Sequence, residues 1–418
     1  MVNEREKGYV TGELASWSYL LQDEHESNPE LQWPKSIEVF DRMRREDSQV
    51  KSVLKAVTLP IRRTGWMLDP SGCSEEVLQL VADDLGLPIK GRPPTPPKRR
   101  GGRFSWQEHL RLALLELPHG HSVFEQVYRI DGNRAHLRKL AWRPPRTISK
   151  FDVARDGGLK AIEQGHVGEH VRLGVERLVA YVNEREGGNW AGESLLRSAY
   201  KNWLLKDRLL RSQALTVDRN GLGVPIYEGA PVPDGMTGAE RDEWHRRELE
   251  NGLKLATAFR SGEQAGASHQ HGAKLTLRGV EGDLPDADKP IRYHDEQIAR
   301  AVLAHFLNLG TETGSWALGS TFADFFVASL QAVAMHIADV TQQHVIDDLV
   351  DINWGIDEPA PQLVFDEIGA KSPATAEAIK QLVDCGAVQP DDELEAHLRA
   401  AHNLPIKGEP RTTAEEAA

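Results

Sequence analysis

Two helix-forming segments that enclose a short extended insert constrain this chain more than any other feature. GGNWAGESLLRSAYKNWLLKDRLLRSQAL (187–215) starts on a glycine-rich lead-in and then reads as a strong helix. Leu196, Tyr200, Trp203, Leu210 and Ala214 recur on one face, with Asp207 interrupting them. DRNGLGVPIYEGAPVPDG (218–235) reads as a turn-and-strand excursion. TGAERDEWHRRELENGLKLATAFRSG then returns as a second helix, with Thr237 as candidate N-cap and acid in the first turn to match the helix dipole.

Around this pair the pattern is mixed. SIEVFDRMRREDSQVKSVLKAVTL (36–59) has apolar residues at helical spacing, Pro34 at its start and Pro60 at its stop, and predicts one long helix. TGWMLDPSG predicts a strand and turn, and EEVLQLVADDLGLP a helix closed by Gly-Leu-Pro. SWQEHLRLALLEL (105–117) predicts a helix capped by Ser105. HSVFEQVYRI and NRAHLRKLAWRPP flank Asp131-Gly132 and predict a β-hairpin, with further short strands to residue 183. GASHQHGAKLTLRGVEG (266–282) predicts a loop and a strand, and IRYHDEQIARAVLAHFLNL (291–309) a helix. A Gly/Ser/Thr loop at 311–321 leads into the longest helix, 322–355, striped by Phe322, Phe326, Leu330, Val333, Ile337 and Val340. The fold class is α+β.

Some segments stand apart from regular structure. Residues 1–33 read as a polar arm with one apolar anchor, Trp17, Tyr19, Leu20 and Leu21. GRPPTPPKRRGGR (91–103) reads as a solvated loop, or less simply as a nucleic-acid contact. Residues 371–403 predict a small acidic helical module, and the last dozen a frayed tail. There is no internal repeat.

Charge narrows the partners. The chain has 418 residues, 40% hydrophobic, and a formal charge of −13, so it does not grip DNA over its whole surface. The acid is uneven: residues 351–418 hold 14 Asp/Glu against 5 Lys/Arg, which reads as a solvated face, or more sharply as a lining that keeps DNA from sticking. With only Cys73 and Cys385 there is neither a disulfide framework nor a CxxC pair, and the chain reads as intracellular. The N-terminus lacks a signal sequence, and no apolar run is long enough to span a membrane.

Chemistry-bearing motifs are scarce. There is no P-loop, GxSxG or HExxH. The pairs His119/His121, His166/His170 and His269/His271 fall short of a zinc ligand set and read as surface or loop histidines. Asp347, Asp348 and Asp351 could serve a metal-dependent nuclease, but a solvated helix end accounts for them more simply. No catalytic residue, metal site or cofactor is expected.

Three passages in order resemble the Mu-type family of tailed-phage portal proteins. They are LQWPKSIEVFDRMRREDSQVKSVLKAVTLPIRRTGWMLDP (31–70), AGESLLRSAYKNWLLKD with GLGVPIYEG (191–229), and the helix–loop–helix of 291–350. The 91–103 segment and the short C-terminus depart from the family pattern. The resemblance implies a ring of usually twelve subunits at the capsid vertex, through which double-stranded DNA is packaged and ejected. It implies a virion protein, present in the host cytoplasm during assembly. Each subunit would have a mixed α/β wing (34–190), a two-helix stem (191–217 and 239–260), a clip (218–238), a wing strand and helix (261–310), a tunnel loop (311–321), and a long helix with crown (322–404), flanked by the arm (1–33) and the tail (405–418). Partners would be the terminase large subunit, major capsid and scaffolding proteins, and a head-completion or adaptor protein; no membrane is involved. Apolar stripes on such a stem need cover from neighbouring subunits. Arg197, Lys201, Arg208 and Arg211 are the candidate DNA-channel residues; the simpler reading has them solvating the helix or pairing with Glu248 or Glu250 of a neighbour. Thr311, Thr313, Gly314, Ser315, Trp316 and Gly319 are the candidate tunnel-loop residues. The alternatives are another head–tail structural or adaptor protein, and a nuclease.

Overall fold

The long helix expected over 36–59 is two helices, because Asp47 breaks it. In the computed structural model, which describes residues 26–93, 104–165, 170–221, 224–260, 268–269, 271–278, 286–301, 316–369 and 395, α1 spans Lys35–Glu46 and α2 spans Ser48–Arg63. Asp47 is extended, and its carboxylate accepts from the backbone N–H groups of Gln49 (2.8 Å) and Val50 (3.0 Å). A side chain that satisfies the free N–H groups of a new first turn favours a fresh start over continuation. At the other end Pro60 does not stop the helix. α2 runs on to Arg63, since the last turn seats Ile61 in the core and Trp66 Nε1 donates to the Ile61 carbonyl at 3.1 Å.

The elements from residue 66 to 182 follow the sequence pattern closely. β1 (Trp66–Asp69) leads to α3 (Glu75–Leu85), which ends on Gly86 at φ +67° as a left-handed cap. α4 (Trp106–Ala113) is capped by Ser105, and α5 (Glu116–His119) follows. The hairpin β2 (His121–Asp131) and β3 (Arg134–Arg143) turns on Gly132 at φ +61°. β4 (Ile148–Val153), β5 (Leu159–Gln164) and β6 (Val171–Gly174) form one antiparallel sheet; β7 (Leu178–Val182) joins the other, in the order β3-β2-β7. Gly120 and Gly192 cross backbone to backbone: a Cβ on Gly192 would lie 2.2 Å from the Gly120 carbonyl oxygen, and both have positive φ. This crossing sets where the chain leaves the wing.

The projecting part then begins. α6 covers Tyr200–Gly221, starting later than the expected 191 because residues 195–199 form turns; Ser194 Oγ donates to the Pro118 carbonyl at 2.7 Å. β8 (Val224–Glu228), α7 (Gly238–Arg260), β9 (Lys274–Arg278) and α8 (Asp288–Arg300) follow. β9, expected with the wing, instead pairs antiparallel with β8.

The long helix α9 begins at Trp316, so the second half of the loop expected at 311–321 is helical; Trp, Ala and Leu tolerate the helix and a single Gly319 costs only about 1 kcal/mol. α9 ends at Thr341, a π-turn covers Gln342–Ile346, and α10 runs Asp347–Trp354. The π-turn frees backbone groups, and Gln126 Nε2 donates to the His344 carbonyl; the Gln342 side chain at its start accepts from Leu363 N of the following strand at 2.9 Å. A further strand that the sequence pattern does not predict, β10 (Gln362–Phe365), pairs with β1. The main core joins α2, β1, α3, α4, β2, β7, α9 and α10. Trp17, Tyr19, Leu20, Leu21, residues 94–103, and 371–403 apart from Glu395 lie outside the described residues, as does 405–418.

Candidate functional site

α6 is anchored at its root and bare along its shaft. Leu196, Ala199, Tyr200 and Trp203 pack with Leu31, Phe40, Met43, Val50, Leu54 and Ile298. Leu31 belongs to the expected N-terminal arm, whose described end is therefore docked on the body. One turn beyond Trp203, Lys206 reaches into the same seam. Its Nζ lies 3.0 Å from Asp47 Oδ2 and 2.6 Å from Asp295 Oδ1, so one ammonium ties α6 to the cap of α2 and to α8. Burial opposes that charge, and hydrogen bonds with Asp295 and Asp47 more than offset it, holding the ammonium above the ordinary lysine range.

The buried side chains of α6 are thus Tyr200, Trp203 and Lys206, all near its start. Asp207 does not interrupt them: this carboxylate is half-exposed and pairs with Arg211 at 2.8 Å. Leu210 and Ala214, expected on the apolar face, are exposed. Beyond Lys206 the apolar side chains lose their cover. Leu210, Leu215 and Val217 are exposed on α6, and on α7 Leu249 and Leu253 are 74% and 70% exposed. Val224, Ile226 and Leu277 on the β8–β9 ribbon are exposed as well.

The four basic candidates are not equivalent. Arg197 precedes the helix and is held by Glu26, with Nη2 2.9 Å from Oε1 and Nε on Oε2. Arg211 is neutralised by Asp207. Lys201 and Arg208 are exposed and have no ion-pair partner among the described residues. Glu248, named as a possible partner in a neighbour, is buried and accepts from the Tyr227 hydroxyl at 2.6 Å within its own chain, which raises the phenol. Glu250 is exposed. Of the loop candidates, Trp316 and Gly319 lie in α9, and Thr311, Thr313, Gly314 and Ser315 fall outside the described residues.

Other polar groups prove structural. His119 and His121 are buried rather than surface residues. His121 Nδ1 bonds the Ala191 carbonyl at 2.9 Å, and His119 Nε2 lies 3.5 Å from Asp41. Burial drives His119 down to about 3 and His121 to about 4. His170, His269 and His271 are exposed, and His166 lies outside the described residues. Asp347 and Asp348 open α10 directly after the π-turn, where Gln342 and Gln126 donate to them at 2.7 and 2.9 Å. Among the described residues no group of three or more His, Cys, Asp and Glu is arranged to hold a metal ion, and no helix is long and apolar enough to cross a membrane. Sequence reasoning missed Lys206. Its one signal is the spacing 199, 203, 206, which puts a lysine on the buried face.

A family model described as the portal protein of Mu bacteriophage matches residues 37–400. The chain belongs to that portal family. Its fold is similar to solved structures at low identity. It matches a chain from the virion of a native gene transfer agent particle at TM-score 0.54 and 12% identity, covering 90% of this chain and 95% of that one. It matches a chain from the neck of the native particle, computed with C12 symmetry, at 0.52 and 12%, with the same coverage. It matches a chain from the neck of the empty particle, computed with C6 symmetry, at 0.53 and 13%, covering 88% and 94%. The portal subunit is a mixed α/β chain that leaves apolar side chains of α6 and α7 exposed.

Proposed function

We propose that this phage portal protein closes into a ring, usually of twelve, and passes double-stranded DNA through the bore during packaging and ejection. The observation that carries the reading is the uncovered apolar face of α6 and α7. A single chain leaves it in water, and a heterologous contact repeated around an axis would bury it on every subunit at once. The similar neck computed with C12 symmetry supports the count.

On this reading the wing is 34–190, α6 and α7 are the stem, and the clip is 218–238 extended by β9, since β9 pairs with β8. Residues 311–315 remain the tunnel-loop candidate, and α9 leads toward a crown in 322–404. The ring acts as a structural conduit without enzymatic activity of its own. It docks the terminase large subunit during filling, then head-completion proteins, and sits among capsid and scaffolding proteins at the virion vertex after assembly in the host cytoplasm. Lys201 and Arg208 are the channel cations, meeting the phosphate backbone without sequence preference.

Negative-stain imaging of the purified full chain tests the reading. Rings with a central hole are expected from the wild type. L249E/L253E should give monomers with an unchanged circular-dichroism spectrum, because both leucines are exposed in the single chain. A wild type that stays monomeric at every concentration refutes it.

A further inference from the structure

A cleft on the wing, remote in sequence from the stem helices, has a character of its own. Lys51, Lys55 and Arg62 follow one another along α2 at positions i, i+4 and i+11, and so share one side of the helix. Arg111 of α4 faces them across the cleft, and Arg44 of α1 closes one end. Between these cations the floor is apolar, made by Leu54 and by Leu114 and Leu115 at the α4–α5 corner. The cleft has a volume of about 190 Å³, enough for one or two apolar side chains and too small for a cofactor.

No acidic residue lines it. Arg44 is held by Asp41 at 2.6 Å, and Arg111 by Glu108 at 2.5 Å. Lys51, Lys55 and Arg62 have no ion-pair partner among the described residues, and Arg62 Nε is buried without a hydrogen bond there. Three cations without ion pairs around an apolar floor are unusual on a chain of net charge −13. On a chain of net negative charge, this cleft is a local patch that attracts an anionic partner.

We propose that the cleft docks an acidic segment of a partner protein. One aliphatic or aromatic side chain of that segment sits on Leu54 and Leu115, and carboxylates beside it meet Lys51, Lys55 and Arg62. The apolar floor favours a polypeptide over nucleic acid, whose phosphate backbone carries nothing to fill it. The charge complementarity sets both the choice of partner and its rate of arrival, since like charge elsewhere on the chain disfavours other approaches.

The test is fluorescence anisotropy with the full-length protein at about 50 mM salt, where screening is weak. The probe is a fluorescein-labelled synthetic dodecapeptide of glutamates with leucines at every fourth position. Saturable binding is expected, weakened roughly tenfold or more in K51E/K55E, and weakened too by raised salt or by a peptide with Gln for Glu. A peptide with Ala for Leu should bind several-fold more weakly, which separates a seated side chain from diffuse attraction. Both lysines are exposed, so K51E/K55E should melt with the wild type, and this control keeps the comparison interpretable. Absence of saturable binding overturns the proposal, as does equal affinity for K51E/K55E. Equal competition by a twelve-base-pair DNA duplex also overturns it, in favour of a general anion surface.

Discussion

Replacing Lys206 by methionine removes the one cation that joins α6, α2 and α8. The lysine side chain is 6% exposed and the Asp47 side chain 8%, while Asp295 at 30% keeps part of its hydration. Breaking a buried pair typically costs 3–5 kcal/mol, because the remaining charge stays desolvated. The water left on Asp295 argues for the lower end, so K206M should lose about 3 kcal/mol, roughly a hundredfold in the folding equilibrium. Urea unfolding followed by tryptophan fluorescence measures it, with protein concentration fixed because assembly adds apparent stability. Charge, not packing, is the stated cause. The triple variant K206M/D47N/D295N should therefore recover most of the loss, since an asparagine side chain in place of Asp47 can still cap Gln49 and Val50. A loss under about 1 kcal/mol in K206M, or a triple variant no more stable than the single one, refutes the electrostatic account.

Acid should destabilise the fold through the buried imidazoles of residues 109–121. Burial holds His109 and His119 at about 3 and His121 at about 4, against about 6.5 in the unfolded chain. Their stabilisation is complete above pH 6.5 and falls as the pH drops toward 4, by up to about 1.4 kcal/mol per pH unit for each histidine. His119→Gln should flatten the pH dependence of the urea midpoint between pH 6.5 and 5; parallel curves for variant and wild type would sink the idea. The shaft of α6 should in turn depend on assembly. An isolated helical stretch as short as the one beyond Lys206 is marginal in water. Amide exchange in 207–221 is expected to be fast in L249E/L253E monomers and slow in rings, with 200–206 protected in both; equal protection of the shaft in the two states would count against neighbour packing.

Local rules carried most of the elements before residue 190. The Asp131-Gly132 turn, the Ser105 cap and the Gly86 stop are each set by a few adjacent residues, and the structure has all three. What escaped depended on contacts distant in sequence. The break at Asp47 has a local cap signature, but the continuous apolar period hid it. Helix through Pro60 rests on Ile61 and Trp66 being buried together. The π-turn needs Gln126, more than 200 residues away, to take up its carbonyl. β10 has no strong pattern of its own and forms because β1 offers an edge. The face of α6 illustrates the same limit. Period alone placed Leu210 and Ala214 inside; they share the Trp203 side of the helix, but the core cluster that covers Trp203 does not reach them.

Ion pairs within the chain also separate the four basic candidates. Four cations at helical spacing look like one surface, yet two of them are already engaged: Arg197 by Glu26 and Arg211 by Asp207. The pair at Arg197 fastens the start of α6 to the docked arm, and the pair at Arg211 is an exposed helix-surface contact of small energy. What remains for a channel is Lys201 and Arg208, two turns apart on α6. A conduit gains from this economy. Each phosphate neutralised adds salt-dependent affinity, so a dense cationic lining would hold the duplex where it must slide. On the proposed reading, these two exposed cations of α6, repeated around a ring, would centre a polyanion by weak contacts on all sides without giving it a place to stop.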